Sequence, residues 1–400
     1  MKNIKVVIGS GFGDEAKGVM TDYFSSTVDN GIVVRFNGSA QAGHTVTTPE
    51  GKRHVFSHIG SGSFNYLPTF LSSYFVVNPM LFNKEIKELR EINLLPKVFI
   101  DENCYVTTPY DVMLNQIAEI VRGGKKHGSC GVGFNETIER SLCGDQFKLT
   151  MAELKNERLV RDKVSNIRDN YIKIRLKRLG IDKIPERYEN LLAIDEIIES
   201  YIYDVENMLD IVTVTNSNIL NQFNSIIFEG AQGLLLDQNH KYFPHVTRSN
   251  TGMKNVAEII SKAGFQNQNI EIVYVTRAYM TRHGAGPFPT ELESKPYSKI
   301  VDLTNVPNPY QDALRFGLLD LDNLAANIHN DLKNVKDLKA EVKLAISCLD
   351  QIENGEVDYF TQGEKKKSPI DIFIKDAFRI LRVHSGYLSY GVTRDTIKKV

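Results

Sequence analysis

Cysteine and net charge are both scarce in this sequence. The four cysteines (Cys104, Cys130, Cys143 and Cys348) match no C-x-x-C or Cys/His metal spacing, and a disulfide framework is not expected in a chain of 400 residues, so we expect free thiols. A formal charge of −1 lacks the basic excess of nucleic-acid-binding proteins, so no nucleic acid is expected as a partner. No apolar run approaches membrane length, and we find no signal, transit, repeat or low-complexity segment. We therefore expect a cytoplasmic protein that binds no membrane.

Short apolar runs alternate with longer helical patterns along much of the chain. The runs predict buried strands at residues 4–8, 31–36, 74–77, 98–100, 225–228, 270–275 and 342–348. Between several of them lie helical patterns, for example at residues 80–94 and 111–121. This alternation predicts an α/β fold with a largely parallel central sheet flanked by helices.

Two segments differ from this alternation. Residues 151–220 are charged, carry apolar residues at helical spacing, and predict an inserted helical subdomain. Residues 355–368 predict an exposed turn or hairpin before a last helix at residues 370–381. No linker composition divides the chain, so we predict a single domain over residues 1–400.

The stretch VVIGSGFGDEAKG, residues 6–18, runs from an apolar strand into a glycine-rich turn, which is typical of a phosphate site, yet it carries Asp14 and Glu15. A phosphate cradle offers N–H groups and a lysine, so an unneutralised carboxylate would repel the ligand. The P-loop pattern does not fit, because Gly18 rather than Ser or Thr follows Lys17. The acid is explained if it holds a Mg²⁺ that bridges phosphates or removes a proton from a second substrate. A tight strand-to-helix turn with an acidic first helical turn is the structural alternative.

Four later loops share this small-residue character. NGSAQAGHT contains His44, GSCGVGFNETIER has three glycines, FEGAQGLLLDQNHKYFPHVTRSNTG places Gln232 and Thr247 beside small residues, and RHGAGPFPTE is a rigid Gly/Pro turn. Because α/β sheets gather such strand-end loops into one crevice, we expect His44 to be functional there. Gln232 and Thr247 are of the kind that hydrogen-bond a base edge or a phosphate.

These loops, taken in order, resemble the adenylosuccinate synthetase family, which joins aspartate to the 6-position of inosine monophosphate (IMP) in a reaction driven by GTP. GSGFGDEAKG is similar to that family's W-G-D-E-G-K-G, and QAGHT to N-A-G-H-T. FEGAQGLLLD…FPHVTRSNT is similar to F-E-G-A-Q-G-x-x-L-D…Y-P-[YF]-V-T-S-S-N-T, and TRHGAGPFPTE to T-R-V-G-A-G-P-F-P-T-E. The similarity runs from the N-terminus to about Glu291, weakly across the helical segment.

The resemblance implies that O6 of the purine is phosphorylated before an amine displaces the phosphate. Asp14 would take the proton from N1 and ligate Mg²⁺, His44 would donate a hydrogen bond to the phosphoryl oxygen, and Lys17 would neutralise charge. The implied nucleoside-triphosphate site comprises Gly13, Glu15 (chiefly structural), Ala16, Gly18, Gly43, Thr45, Asp350 and Gly391. The implied acceptor-nucleotide site comprises Gln41, Ser129, Cys130, Gln232, Thr247 and Arg315, and the implied Mg²⁺ ligands are Asp14 and Gly43. A homodimer is also implied, in which a basic residue of the neighbouring subunit, Arg140 or Lys148, would reach the acceptor phosphate.

Departures from the family pattern leave the phosphoryl donor open. The family reads guanine with [NT]-K-x-D, and the matching SCLD has Cys348 where the lysine would pack over the base, although Asp350 is present. The neighbouring LSYGVTRD, similar to S-T-G-P-D-R, has Val392 where the proline stands. Both GTP and ATP are therefore candidate donors.

Other departures leave the acceptor and the amine donor open. The family's T-T-G-R-x-R-R-x-G-W loop corresponds to residues 304–320, where only Arg315 remains, so recognition of the aspartate carboxylates has moved, for example to Arg277 or Arg282, or the amine is not aspartate. GVGFNETIER has Val132 where an arginine is usual.

Three functions remain to be distinguished. The first is a ligase that joins L-aspartate to a purine mononucleotide, with IMP as the first expected acceptor. The second is a relative that acts on deoxyguanylate (dGMP) to form a 2-aminoadenylosuccinate, or one that uses a different amine donor. The third is a non-catalytic nucleotide sensor, which would have little reason to keep both Asp14 and His44.

Overall fold

The computed structural model describes residues 2–123, 128–302 and 313–400. The strands are β1 (Asn3–Gly9), β2 (Gly31–Arg35), β3 (His44–Thr47), β4 (Arg53–Phe56), β5 (Thr69–Leu71), β6 (Val76–Val77), β7 (Val98–Asp101), β8 (Tyr105–Val106), β9 (Val212–Thr215), β10 (Ser225–Gly233), β11 (Asn269–Arg277), β12 (Tyr279–Arg282), β13 (Glu291–Leu292), β14 (Arg315–Asp320), β15 (Lys339–Ser347), β16 (Glu356–Thr361), β17 (Glu364–Pro369), β18 (Gly386–Ser389) and β19 (Ile397–Lys399).

The helices are α1 (Lys17–Ser25), α2 (Pro79–Glu91), α3 (Pro109–Arg122), α4 (Phe134–Ser141), α5 (Glu157–Asn166), α6 (Ile172–Leu179), α7 (Glu186–Leu192), α8 (Glu196–Leu209), α9 (Met253–Lys262), α10 (Leu321–Asp331) and α11 (Ile370–Leu381). Within the described ranges, none of them has both the length and the apolar character needed to cross a bilayer.

Ten strands form the central sheet, in the order β19–β18–β15–β11–β1–β10–β2–β5–β7–β9. Every neighbouring pair is parallel except β18 and β19, so the predicted α/β fold with a largely parallel sheet is confirmed. In the centre, Val6 of β1 pairs with Phe228 of β10 on one side and with Ile272 of β11 on the other. Val6, Val7 and Ile8 are fully buried, because helices cover both faces of a parallel sheet and its strands read as continuous apolar runs.

The parallel arrangement brings functional loops to one edge of the sheet. The loops that follow β1, β2 and β10 leave from neighbouring strands at their carboxyl ends. In open α/β sheets this edge is where ligands bind. The topology therefore places the turn that carries Asp14, the loop that carries His44 and the segment that carries Gln232 next to one another.

One predicted strand does not join the main sheet. Residues 74–77 contain only the short strand β6, which pairs with β8, and the neighbouring β5 supplies the sheet strand instead. Ser72 N–H still bonds the Arg35 carbonyl at 3.1 Å, and Phe75 N–H then closes a turn on the Ser72 carbonyl at 2.8 Å. The chain thus leaves the main sheet at Ser72. The apolar residues 75–77 that follow are buried in the core without joining that sheet.

The segment 151–220 is largely helical, as predicted, but its last part belongs to the sheet. Strand β9 pairs in parallel with β7 at the sheet edge. The helices before it share a hydrophobic core with the sheet, in which Val164 and Tyr201 lie in the same cluster as Phe82 and Val98. The packing is therefore continuous between this segment and the rest of the fold.

The C-terminal part follows the sequence prediction closely. Strands β16 and β17 form an antiparallel hairpin, and α11 begins directly after it. The charged residues GEKKKS lie at the hairpin turn and along β17, which leaves most of them exposed.

Arg140 cannot serve a neighbouring subunit, so that expectation is wrong. It is fully buried on α4, where Nε and Nη2 donate to the Asp111 carboxylate at 2.8 and 3.0 Å, and Nη2 also donates to the Val106 carbonyl at 2.7 Å. Asp111 in turn accepts from Thr108 N–H at 2.8 Å at the start of α3. The pair therefore joins α3 to α4 inside one chain. Lys148, the other candidate, is partly exposed and binds Asp145.

We expect Arg140→Met to lower the free energy of unfolding by about 3–5 kcal/mol, because it leaves the buried Asp111 charge unpaired. Urea unfolding followed by circular dichroism measures this change. Arg158→Met is the matched control, since Arg158 lies in an exposed pair with Asp162 at 4.0 Å and should change stability far less. Equal effects of the two substitutions would contradict the structural role of Arg140.

Candidate active site

The turn between β1 and α1 binds a carboxylate of its own. The N–H groups of Gly11 and Gly13 donate to Glu15 Oε1 at 3.0 and 2.9 Å, which are the donors that a phosphate would otherwise use. Lys17 Nζ donates to the Gly13 carbonyl at 2.6 Å and lies 3.4 Å from Glu15 Oε2. Burial raises the pKa of Glu15, and Lys17 opposes that shift. Of the two acids in the turn, Glu15 is thus the one that shapes it.

The glycine spacing of this turn follows from the buried carboxylate. A Cβ on Gly9 would lie 2.3 Å from Glu15 Oε2, so no larger residue fits there. Gly13 has φ +115°, a conformation that side chains rarely adopt. Glycines two residues apart therefore serve to enclose Glu15, which gives the turn a spacing different from that of a P-loop.

Asp14 has the opposite environment. Its side chain lines a large cavity, and no described residue donates a hydrogen bond to its carboxylate. Its backbone carbonyl accepts from Arg277 Nε, which fixes the residue while leaving the carboxylate available. Asp14 is therefore free to bind a cation or to take a proton.

His44 is held by a carboxylate that the sequence analysis did not single out. His44 Nδ1 lies 2.7 Å from Glu229 Oε1, and Glu229 also accepts from Ser61 N–H at 3.0 Å and from the Ser61 hydroxyl. Arg35 Nη1 lies 4.0 Å from Glu229 Oε2. A signal for Glu229 was present, since it is an acidic residue in an otherwise apolar strand that is almost entirely buried.

The protonation of this pair follows from its burial. Burial, followed by the nearby Arg35, lowers the pKa of His44 to about 4, although Glu229 acts in the opposite direction. Burial would raise the pKa of Glu229, but His44, Arg35 and Ser61 outweigh it and hold that pKa at about 2. Because an ionised carboxylate only accepts, the neutral ring carries its proton on Nδ1 and presents a bare Nε2. His44 can therefore donate from Nε2 only when the ring gains a second proton.

A cavity of about 420 Å³ joins the predicted residues into one site. Its lining includes nine of them, from five segments of the chain: Gly13, Asp14, Gln41, Gly43, His44, Ser129, Cys130, Gln232 and Thr247. Within the described ranges, Asp14 is the single carboxylate among the lining residues.

Several polar atoms in this lining are buried without a protein partner. Both amide atoms of Gln41 and the Oε1 atom of Gln232 have none among the described residues. Gln232 also adopts φ 58°, an unusual conformation for a residue other than glycine. Buried polar groups normally have partners, so these atoms indicate that a polar ligand completes the site.

The loop GSCGVGFNETIER, called the third loop because it follows the glycine-rich turn and the His44 loop, borders the cavity through Ser129 and Cys130. The Ser129 hydroxyl donates to Asn115 Oδ1 at 2.9 Å, which fixes the loop to α3. Burial raises the pKa of the Cys130 thiol to about 11, so the thiol stays protonated at neutral pH. Gly133, with φ 86°, precedes the first residue of α4, and the N-terminal end of that helix borders the cavity through Phe134 and Asn135.

Other predicted site residues lie around this cavity rather than in its wall. Lys17 is buried behind the turn. Ala16 and Gly18 flank it at the start of α1, and Thr45 lies in β3. Asp350 is exposed just after β15, and Gly391 follows β18, the neighbouring strand. The Ser347 hydroxyl donates to the Glu15 carbonyl at 3.1 Å, so the SCLD segment adjoins the glycine-rich turn.

The three arginines proposed for substrate recognition are all engaged. Arg315 binds Glu291 through Nε at 2.6 Å and the Gly286 carbonyl at 2.9 Å, and it does not line the cavity. Arg282 lines the cavity but donates to backbone carbonyls. Arg277 lines a separate cavity of about 50 Å³ next to Glu15. Residues 303–312, which include most of the predicted aspartate loop, lie outside the described residues.

A metal site made by the protein alone is not found. Among the described residues, no group of three or more His, Cys, Asp or Glu side chains is placed to hold a metal ion. A cation at Asp14 would need further oxygen ligands from a substrate.

Comparisons with known proteins match most of this sequence to one family. The family model described as adenylosuccinate synthetase matches residues 6–329. An adenylosuccinate synthetase of Thermoplasma acidophilum is 30% identical over 400 residues, covering 98% of this chain and 86% of that protein. One of Buchnera aphidicola is 34% identical over 297 residues, covering 72% of this chain and 65% of that protein.

Two solved structures share the fold. A fully ligated adenylosuccinate synthetase from Plasmodium falciparum matches with a TM-score of 0.73 at 18% identity, covering 99% of each chain. A succinoaminodeoxyadenylate synthetase of cyanophage S-2L, bound to dGMP and to dATP as an energy donor, matches with a TM-score of 0.64 at 14% identity, covering 100% of this chain and 95% of that one.

We expect Glu229→Gln to lower the pKa of His44 further and to mix its tautomers, because a neutral amide no longer attracts the ring proton to Nδ1. NMR of the histidine ring nitrogens measures both effects. Ser61→Ala is the matched control, since it removes one hydrogen bond to Glu229 but keeps the carboxylate charge. A His44 ring with the same titration and tautomer in Glu229→Gln would contradict this account.

Proposed function

The chain belongs to the adenylosuccinate synthetase family of C–N bond-forming ligases, as its loop motifs predicted, and we propose that it joins L-aspartate to C6 of a purine mononucleotide using a nucleoside triphosphate. The observation that carries this proposal is the free Asp14 carboxylate, which faces the same cavity as the His44–Glu229 pair. A cavity of about 420 Å³ is large enough for a mononucleotide.

Asp14 is the proposed general base. The oxygen at C6 is a poor leaving group, so it must be phosphorylated before an amine can replace it. Asp14 takes the N1 proton, O6 attacks the terminal phosphoryl group, and the bond from that phosphorus to the leaving diphosphate breaks. The neutral amine of aspartate then forms a bond to C6, the C6–O6 bond breaks, and inorganic phosphate leaves with O6 and with the proton that the amine loses.

His44 is the proposed donor to the phosphoryl oxygens. In the ligand-free chain its Nε2 has no proton, but the arrival of anionic phosphates favours the charged ring. Glu229 favours the same state and keeps the ring oriented. Lys17 contributes positive charge from behind the turn, where it balances Glu15. The hydrogen bond from His44 then strengthens as charge moves onto the transferring group.

The residues present fit a Mg²⁺ ion, which we include in the proposal. Asp14 offers a carboxylate without a hydrogen-bond partner among the described residues, and Gly43, which borders the same cavity, would offer its backbone carbonyl. Mg²⁺ is usually held by one or two carboxylates together with substrate phosphates, which matches this donor set. When bound, it would neutralise phosphate charge. A cytoplasmic homodimer is the proposed form of the protein.

The identity of the substrates is the second part of the proposal. Asp350 is exposed beside the glycine-rich turn and can accept from a guanine edge, but Cys348 removes the lysine stem that would pack on the base. The cyanophage synthetase is bound to dGMP and to dATP as an energy donor. This supports dGMP as an alternative acceptor and an adenine nucleotide as an alternative donor for this chain. IMP with aspartate remains our first assignment.

We expect Asp14→Asn to reduce kcat by about 10²–10⁴-fold without loss of fold, because an amide cannot take the N1 proton. Phosphate release with IMP, aspartate and either GTP or ATP measures the effect. Asp29→Asn, at an exposed position, is the control and should keep full activity. Asp14→Asn activity within a few-fold of the unmodified protein would remove Asp14 from its role as base.

We expect weak selection of the phosphoryl donor, with kcat/KM for ATP within about tenfold of the value for GTP or above it. Cys348 removes the side chain that would pack on guanine, and such packing contributes about as much to selectivity as the hydrogen bonds of one carboxylate. The test crosses GTP, ATP, dGTP and dATP with IMP, dIMP, GMP and dGMP, with aspartate present or omitted. A hundredfold preference for GTP with IMP would contradict the Cys348 argument. Nucleotide binding without phosphate release from any pair would instead identify a sensor.

A further inference from the structure

Few basic groups line the large cavity and could bind a nucleotide phosphate. Among the described lining residues, the cationic or ionisable basic groups are Arg282 and three histidines, His44, His245 and His283. Arg282 is fixed in place, because its guanidinium donates to the carbonyls of Pro287, His245 and Ala285 and stacks 4.4 Å from the Phe12 ring. His44 is committed to Glu229 at 2.7 Å.

His283 shares one feature with Arg282, a buried nitrogen that has no hydrogen-bond partner among the described residues. Its Nδ1 is buried and has no hydrogen-bond partner in the part of the chain that the structure describes. Its loop packs against the third loop, since a Cβ added to Gly128 would lie 2.8 Å from Gly284 Cα. His283 therefore borders the cavity beside Ser129 and Cys130, which the family resemblance assigns to the acceptor-nucleotide site.

We propose that His283, in its protonated form, supplies the positive charge that binds the phosphate monoester of the acceptor mononucleotide. This inference rests on the proposed function. A cationic donor stabilises a phosphate dianion, and charge-assisted hydrogen bonds are about twice as strong as neutral ones. Of the basic lining groups, His283 combines an unpartnered ring nitrogen with the position next to the third loop.

The sequence supports a shift of charge within this cavity. Position 283 is valine in the motif T-R-V-G-A-G-P-F-P-T-E, whereas Val132 occupies a position where arginine is usual. Val132 and His283 both line the cavity. A cation absent from one lining position is therefore matched by an ionisable base at another.

Arg248 is the rival source of charge. It directly follows Thr247, but its Nη2 lies 2.6 Å from Glu139 Oε1, and Arg248 is not among the residues that line the cavity. Its charge is thus already balanced by a carboxylate on α4, and binding a phosphate would require that pair to break.

The test compares His283→Val, Arg248→Ser and the double variant His283→Val/Val132→Arg in the full-length protein. We expect His283→Val to raise the KM of the acceptor nucleotide by about 10- to 100-fold, with a much smaller change in kcat and in the KM of the triphosphate. Inhibition by the matching nucleoside, which lacks the phosphate, should not change. The double variant should recover most of the lost affinity, because arginine restores a cation to the same cavity.

Three results would overturn the inference: an unchanged acceptor KM in His283→Val, an equal loss of nucleoside affinity, or an effect that appears in Arg248→Ser instead. Turnover by the unmodified protein tests the proposed function separately, before any variant is made. If that protein is inactive with every substrate pair, calorimetric titration of His283→Val with mononucleotide and with nucleoside still decides whether His283 binds the phosphate.

Discussion

The buried carboxylate of Glu229 is the constraint on which the reactive part of the site depends. It lies on β10, in the middle of the sheet, and contacts His44, Ser61 and Arg35 from three other segments. Arg35 is fully buried with its Nε and Nη2 unpartnered among the described residues, so its charge is tolerable only beside an ionised acid. One carboxylate therefore balances a buried cation and orients the histidine, which makes the position of His44 a property of the sheet rather than of a mobile loop.

The glycine-rich turn uses the same device and thereby separates two neighbouring acids. Glu15 is buried, receives two backbone N–H groups and lies beside Lys17, while Asp14 keeps a free carboxylate on the cavity wall. Pairs of titratable groups in contrasting environments commonly take different roles. The two acidic residues of the glycine-rich turn therefore have different explanations. The Glu15 carboxylate shapes the turn, and the Asp14 carboxylate remains available to bind a cation or a proton.

Most of the sheet and of the cavity wall could be predicted from the sequence, because both depend on local patterns. Continuous apolar runs report burial between two helical layers, and small-residue loops report the strand ends. The pairing of Glu229 with His44 and the burial of Arg140 could not be predicted in this way, since each depends on partners far away in the chain. The prediction of a main-sheet strand at residues 74–77 was wrong, because an apolar run indicates burial but does not specify which strand it pairs with.

The proposed catalytic residues and the residues that depart from the family pattern lie in different parts of the fold. Asp14 and His44 lie where central strands end, and their supports, Glu15 and Glu229, are buried, so substitution there would leave charges unpaired inside the sheet. Val132, Cys348 and His283, which depart from the family pattern, instead lie on loops at the cavity or beside the turn. A loop residue can change its charge without a buried partner to compensate. Substitutions at the rim of the cavity can therefore change what it binds while Asp14, His44 and their buried supports stay in place.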